Sequence, residues 1–124
     1  MEREIKPIRV LVVDDNQMVR KGLRLLLDVT DDMELVGEAK DGDEAIALSK
    51  TTHPCVILMD LVMPEMCGTQ ATSQIRKQDG DVKIILLTGY HDQSLIQAGL
   101  EAGANEYASK HSSVDDLLSL IRAV

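Results

Sequence analysis

Short apolar runs alternate with stretches of helical period along the whole chain. Residues 8–13, IRVLVV, form an apolar run broken only by Arg9, the pattern of a strand covered on both faces. Asn16 then offers an N-cap, and Met18, Gly22, Leu25, Leu26 and Val29 fall on one helical stripe. Residues 33–39, MELVGEA, alternate and suit an edge strand with Glu34 and Glu38 facing outward. Asp41 and Glu44 have capping-box spacing at the start of a helix over 41–50. A third strand is expected over 55–60, CVILMD, and a weaker helix over 68–78 with Ala71 and Ile75 as its main apolar positions. Residues 82–88, VKIILLT, read as the fourth strand. Asp92 can cap a helix carrying Leu95, Ile96, Gly99 and Leu100, which Gly103 stops. A short fifth strand, ANEYAS at 104–109, precedes a last helix capped by Ser112 or Ser113, with Val114, Leu117, Leu118 and Ile121 in register.

Strand and helix thus alternate five times. Right-handed crossovers make such a chain an α/β, doubly wound domain, with a parallel sheet and helices on both faces. Functional groups in these folds lie beyond the carboxyl ends of the strands.

Composition narrows the picture. A chain of 124 residues suits one domain with one core, and with no Phe or Trp that core must be aliphatic. A net charge of −8 argues against a nucleic-acid-binding surface on these residues, while leaving room for a bound cation. Cys55 and Cys67 make no disulfide framework and read as reduced thiols. The amino terminus has no apolar signal-peptide core, and no apolar run reaches membrane-spanning length, so a cytoplasmic protein without membrane contact is expected.

The predicted strand ends carry the candidate chemistry. Strand 1 ends on Asp14-Asp15, strand 3 on Asp60, strand 4 on Thr88, and strand 5 runs into Lys110. Singly, each has an ordinary explanation as a cap, a β-former or a solvated charge. Together, if strands 1 and 3 are neighbours, three carboxylates converge, and their repulsion calls for a cation. Mg2+ suits an all-oxygen site that keeps several waters and takes a phosphate oxygen. Thr88 adds a hydroxyl and Lys110 a positive charge, a set suited to a phosphoryl group. No Walker or G-x-G-x-x-G motif supports nucleotide binding, and His53, His91 and His111 fall in loops without a nucleophile motif. The remaining acceptor is a carboxylate forming an acyl phosphate, and Asp60 is the best placed.

These residues resemble the receiver domain of two-component response regulators. The pieces are VLVVDD (10–15), MDLVMPEMCG (59–68), ILLTG (85–89) and EYASK (106–110), of which the spacing D-x-x-M-P-x-x-x-G from Asp60 to Gly68 is the most specific. The resemblance covers essentially the whole chain and implies the flavodoxin-like, or CheY-like, (βα)5 fold with strand order 2-1-3-4-5. It implies that Asp60 accepts a phosphoryl group from a sensor histidine kinase. Asp14, Asp15 and Asp60, with the Val62 backbone carbonyl, would hold Mg2+. Lys110 would pair with the phosphate, Thr88 would bond it once it arrives, and Tyr107 looks like the switch aromatic. The flavour of residues 37–68 and 103–124 is that of the NarL/FixJ type. That type implies dimerisation on phosphorylation and DNA contact only through a C-terminal helix-turn-helix domain beyond Val124; a stand-alone receiver is the alternative.

Two features depart from many receivers. His111 follows Lys110 where Pro is common, and because a non-proline cis bond costs ~2.5–4 kcal/mol a trans bond is expected. Glu106 stands where a small residue is usual. Val62 and Tyr90, each two residues past a site residue, are expected to flank the path of attacking water and to prolong the acyl phosphate. A rival reading, a Mg2+-dependent aspartyl phosphohydrolase, usually needs a second acid where Val62 stands and a cap for which the chain has no room. A pseudo-receiver used only for protein contact is disfavoured by the intact acids, Thr88 and Lys110.

Overall fold

A computed structural model describes residues 6–89 and 92–124. Its elements alternate as β1 (Ile8–Val13), α1 (Gln17–Asp28), β2 (Met33–Ala39), α2 (Gly42–Thr52), β3 (Val56–Asp60), α3 (Gly68–Gln78), β4 (Lys83–Thr88), α4 (Gln93–Glu101), β5 (Glu106–Ser109) and α5 (Val114–Ala123). The sheet is parallel with strand order β2-β1-β3-β4-β5, the doubly wound order the resemblance implied. The chain reverses its winding at β1 and β3, so their carboxyl ends flank the switch point. α2, α3 and α4 cover one face through Ala45, Ala71, Ile75 and Ile96; α1 and α5 cover the other through Leu27 and Ile121. All five residues of β3 are buried, which explains its unbroken apolar run.

The helix starts fall where the caps predicted them. Asn16, Asp41, Asp92 and Ser113 all accept hydrogen bonds from first-turn N–H groups. Gly103, at φ 122°, follows α4 in the left-handed region that favours glycine.

Three expectations are corrected. β3 begins at Val56, with Cys55 exposed before it. β5 is shorter than 104–109 because Asn105 closes the ladder with its side chain: Ile84 N–H donates to Asn105 Oδ1 at 2.9 Å. The third correction is larger. The stripe predicted to bury α1 faces outward, with Met18 72%, Leu25 56% and Val29 79% exposed. The helix packs instead on Leu27, with Leu23 beside it. Apolar residues form one broad arc of α1 opposite Arg20, Lys21, Arg24 and Asp28; the predicted stripe lies along one edge of that arc, and Leu23 and Leu27 lie toward the other.

β2 is the edge strand expected, but it carries a bulge. Val10 pairs with Leu35 and Leu11 with Gly37, leaving Val36 as the extra residue. A one-residue slip exchanges faces. Met33 and Leu35 therefore pack with the α1–α5 layer, and Val36 and Ala39 with the opposite one. Glu34 and Glu38, read as alike, lie on opposite sides of the sheet, and Glu38 turns toward α1.

Candidate functional site

The strand ends do converge. Carboxylate oxygens of Asp14, Asp15 and Asp60 lie within 4.8 Å of one another; Asp14 and Asp60 are buried and Asp15 is exposed. β1 and β3 pair directly, which brings the acids together. Lys110 reaches into the cluster, with Nζ 2.9 Å from Asp14 Oδ2 and 3.2 Å from Asp60 Oδ2. Its backbone N–H donates to the Thr88 carbonyl at 2.9 Å, so Thr88 and Lys110 are positioned as a unit.

Burial pushes the Asp60 carboxyl up to about 6, and the Asp14 charge pushes the same way, while Lys110 and the Val62 N–H act against both. Burial would lower the Lys110 ammonium, but its bond to Asp14 and the charges of Asp60 and Asp14 prevail and hold it above the usual lysine value. One ammonium thus serves two buried acids, with the third carboxylate beside them.

The donor set fits a hard divalent cation. Asp14 Oδ2 is buried and makes no aligned hydrogen bond, its close company being the Lys110 ammonium. Three carboxylates with an acceptor to spare match the oxygen-only preference of Mg2+. Val62 donates its N–H to Asp60 Oδ1 at 3.2 Å, which puts its peptide at the rim of the cluster, and its side chain is 54% exposed. Tyr90 lies outside the described residues.

Local sequence explains the mount. Asp60 closes a wholly buried strand, and Leu61 N–H bonds the Leu87 carbonyl at 3.0 Å, carrying sheet geometry one residue past it. The chain then folds back at Met63–Pro64, where Met66 N–H donates to the Pro64 carbonyl at 2.7 Å across Glu65. Glu65 sits at φ 67°, a conformation costly for a residue with a Cβ and typical of a γ-turn centre. Gly68 ends the loop against the Asp60 backbone: a Cβ there would collide with the Asp60 carbonyl oxygen and lie 2.9 Å from Leu61 Cα. The M-P-x-x-x-G spacing is thus the chain length needed to fold the loop flat on the Asp60 peptide.

Thr88 is buried at the end of β4, opposite Ser109 in β5. Tyr107 shares that face two residues back and is 37% exposed. No cis peptide occurs among the described residues, so Lys110–His111 is trans, as expected. Cys55 and Cys67 are free thiols.

Three residues near the cluster escaped the sequence. Lys40, with Asp15, Asp41, Pro64 and Glu65, lines an open cavity of about 320 Å3 at its mouth. Lys40 directly follows β2, so inspecting every strand end would have found it. Arg20 donates to the Asp14 carbonyl at 2.7 Å, and Glu38 stands 3.6 Å from Arg20 Nε. No sequence signal marks this pair, because it depends on the bulge. Among the described residues no helix is long and apolar enough to cross a membrane.

Residues 10–122 match the family model for the response regulator receiver domain. The transcriptional regulatory protein LiaR of Bacillus subtilis is 46% identical over 116 residues, 94% of this chain and 55% of that protein. The response regulator protein VraR of Staphylococcus aureus is 40% identical over 115 residues, 93% of this chain and 55% of that protein. The chain therefore spans about half the length of the curated relatives it matches. Among solved structures, a LuxR-family two-component response regulator from Aurantimonas superposes with a TM-score of 0.89 at 35% identity, covering 95% of this chain and 84% of that one. The response regulator domain of Thermotoga maritima CheB gives 0.87 at 32%, covering 95% and 96%.

Proposed function

The chain belongs to the response regulator receiver family, of the NarL/LuxR type, and from that premise we propose that it takes a phosphoryl group onto Asp60 from a sensor histidine kinase. The observation that carries the reading is the cluster itself: a buried carboxylate at a strand end, two more acids within 4.8 Å, and an ammonium between them.

In the proposed reaction an Asp60 carboxylate oxygen attacks the phosphorus of a phosphohistidine. The O–P bond forms as the N–P bond breaks, and the imidazole nitrogen keeps the electron pair. Mg2+, held by Asp14, Asp15, Asp60 and the Val62 carbonyl, would neutralise charge on the transferring group. On this reading Lys110, whose Nζ lies 3.2 Å from Asp60 Oδ2, pairs with a phosphate oxygen, and Thr88 supplies a hydroxyl. The only chemistry on this reading is the chain's own phosphorylation and dephosphorylation; it is a signalling domain rather than an enzyme of metabolism.

Acyl phosphate formation replaces the single charge of the Asp60 carboxylate with about 1.5 to 2 negative charges spread over the phosphoryl oxygens. Thr88 moves toward them, and Tyr107, on the same face of the sheet, turns inward to follow. The surface of α4, β5 and α5 changes shape, and the differential free energy between the two states is the signal. Pairing with a second copy, and DNA contact through a helix-turn-helix domain beyond Val124, complete the reading. Its support is that relatives of about twice this length are named as transcriptional regulators.

The test is incubation with acetyl phosphate and Mg2+, followed by intact mass. One added phosphoryl group is expected on the wild type and none on Asp60→Asn. No adduct on either protein would leave a contact-only pseudo-receiver, and steady turnover of phosphomonoesters would point to a hydrolase.

A further inference from the structure

All but one of the polar atoms of Asp14 make hydrogen bonds, and Oδ2 has the Lys110 ammonium as its neighbour. The Asp14 N–H donates to the Ala39 carbonyl at 3.0 Å, Oδ1 accepts from Asn16 N–H at 2.9 Å, and Oδ2 faces the Lys110 ammonium at 2.9 Å. Its carbonyl accepts from Arg20 Nη1 at 2.7 Å, and Arg20 is mostly buried. Asp15 is the opposite case. Its carboxylate is exposed, and among the described residues nothing donates to it. It belongs to the acid cluster only through the direction in which the backbone presents it.

The Asp14 carbonyl and the Asp15 nitrogen share one rigid peptide plane. Whatever fixes that oxygen also fixes the start of Asp15. Arg20 is itself steadied by Glu38, which Arg24 Nη1 grips from the other side at 3.0 Å. Glu38 reaches α1 only because the bulge at Val36 puts it on that face of β2.

We infer that Arg20 is a positioning residue for the acid cluster: by holding the Asp14 carbonyl it sets the Asp14–Asp15 peptide and so aims the Asp15 carboxylate at a divalent cation. The inference rests on the reading of the cluster as a Mg2+ site. Positioning and plain electrostatics predict opposite signs here. Arg20 is a cation near a cation site, so by charge alone its removal tightens Mg2+ binding. If it positions Asp15, its removal weakens binding.

Titration calorimetry of Mg2+ into the chain separates the two. Arg20→Met is expected to weaken affinity about tenfold, the scale on which outer partners of metal ligands act. Arg20→Lys keeps the charge and one donor and recovers part of the loss. Glu38→Gln, which loosens Arg20 without touching Asp14, gives a smaller loss in the same direction. Lys21→Met removes the same amount of charge from α1 without contacting Asp14 or Glu38 and leaves affinity within about twofold. Equal or tighter binding by Arg20→Met overturns the inference while the Mg2+ reading stands. Failure of the wild type to bind Mg2+ overturns both. Should Arg20→Met not fold by circular dichroism, Arg20→Lys and Glu38→Gln decide, and unchanged affinity in both sinks the idea.

Discussion

Asp60 is held in a place that suits a neutral acid better than a carboxylate. Burial and the neighbouring Asp14 raise its pKa from 3.8 to about 6 despite Lys110. An unfolded Asp ionises near its ordinary value, so between those two pH values the folded chain binds the extra proton. The group's contribution is favourable below pH 3.8 and is lost as pH rises through about 6. Ionised Asp60 therefore destabilises the cation-free domain near neutrality, on the order of 3 kcal/mol. Asp60→Asn is expected to unfold at a higher urea midpoint than the wild type above pH ~7, and the difference should vanish toward pH ~4. A variant no more stable than the wild type at either pH would mean that Lys110 neutralises the site fully. The residue is mounted at a stability cost, as reactive groups commonly are.

α1 shows how an element can be found and its orientation missed. Asn16 marked its start, and the Asn16 side chain does accept from the Met18 and Val19 N–H groups. Met18, Leu25 and Val29 nevertheless point to solvent while Leu27 is buried. Met18, Val19, Leu23, Leu25, Leu26, Leu27 and Val29 form one broad apolar arc, and hydrophobicity alone did not say which edge of that arc would meet the sheet. Leu27 meets the sheet layer of Val10, Val12 and Leu58, and that contact selects the face. Two substitutions separate the faces in chemical denaturation. Leu27→Ala is expected to cost ~2–5 kcal/mol. Leu25→Gln should stay within ~0.5 kcal/mol of the wild type in the monomer. Similar costs for both would restore the outward stripe to the core. β2 repeats the lesson: its alternation is real on either side of Val36, and one extra residue sends Glu34 and Glu38 to opposite faces.

For the whole molecule, the acid cluster couples the site to global stability. A ligand that binds only the folded chain stabilises it by mass action, ~2.7 kcal/mol at a hundredfold excess over its dissociation constant. Mg2+ is expected to raise the thermal midpoint of the wild type, and chelation should reverse the shift. In Asp15→Asn the shift should shrink sharply. A NaCl control of equal ionic strength accounts for general screening of the net charge of −8. A shift matched by NaCl alone would leave the cluster without a specific cation. The sequence by itself determined the alternation of strands and helices, the caps, and the chemistry waiting at the strand ends. Those features are local: a period of two or 3.6, a capping side chain, an acid where an apolar run stops. Its receiver-like motifs also named Asp14, Asp15, Asp60, Thr88 and Lys110 as a set, and the fold brings Lys110 within 3.2 Å of both buried acids. Tertiary structure alone decided which face of α1 is buried, where β2 slips, that the Asn105 side chain shortens β5, and that Arg20 grips Asp14. Each of these turns on a partner distant in the sequence, and no local periodicity records which of several similar surfaces such a partner will meet.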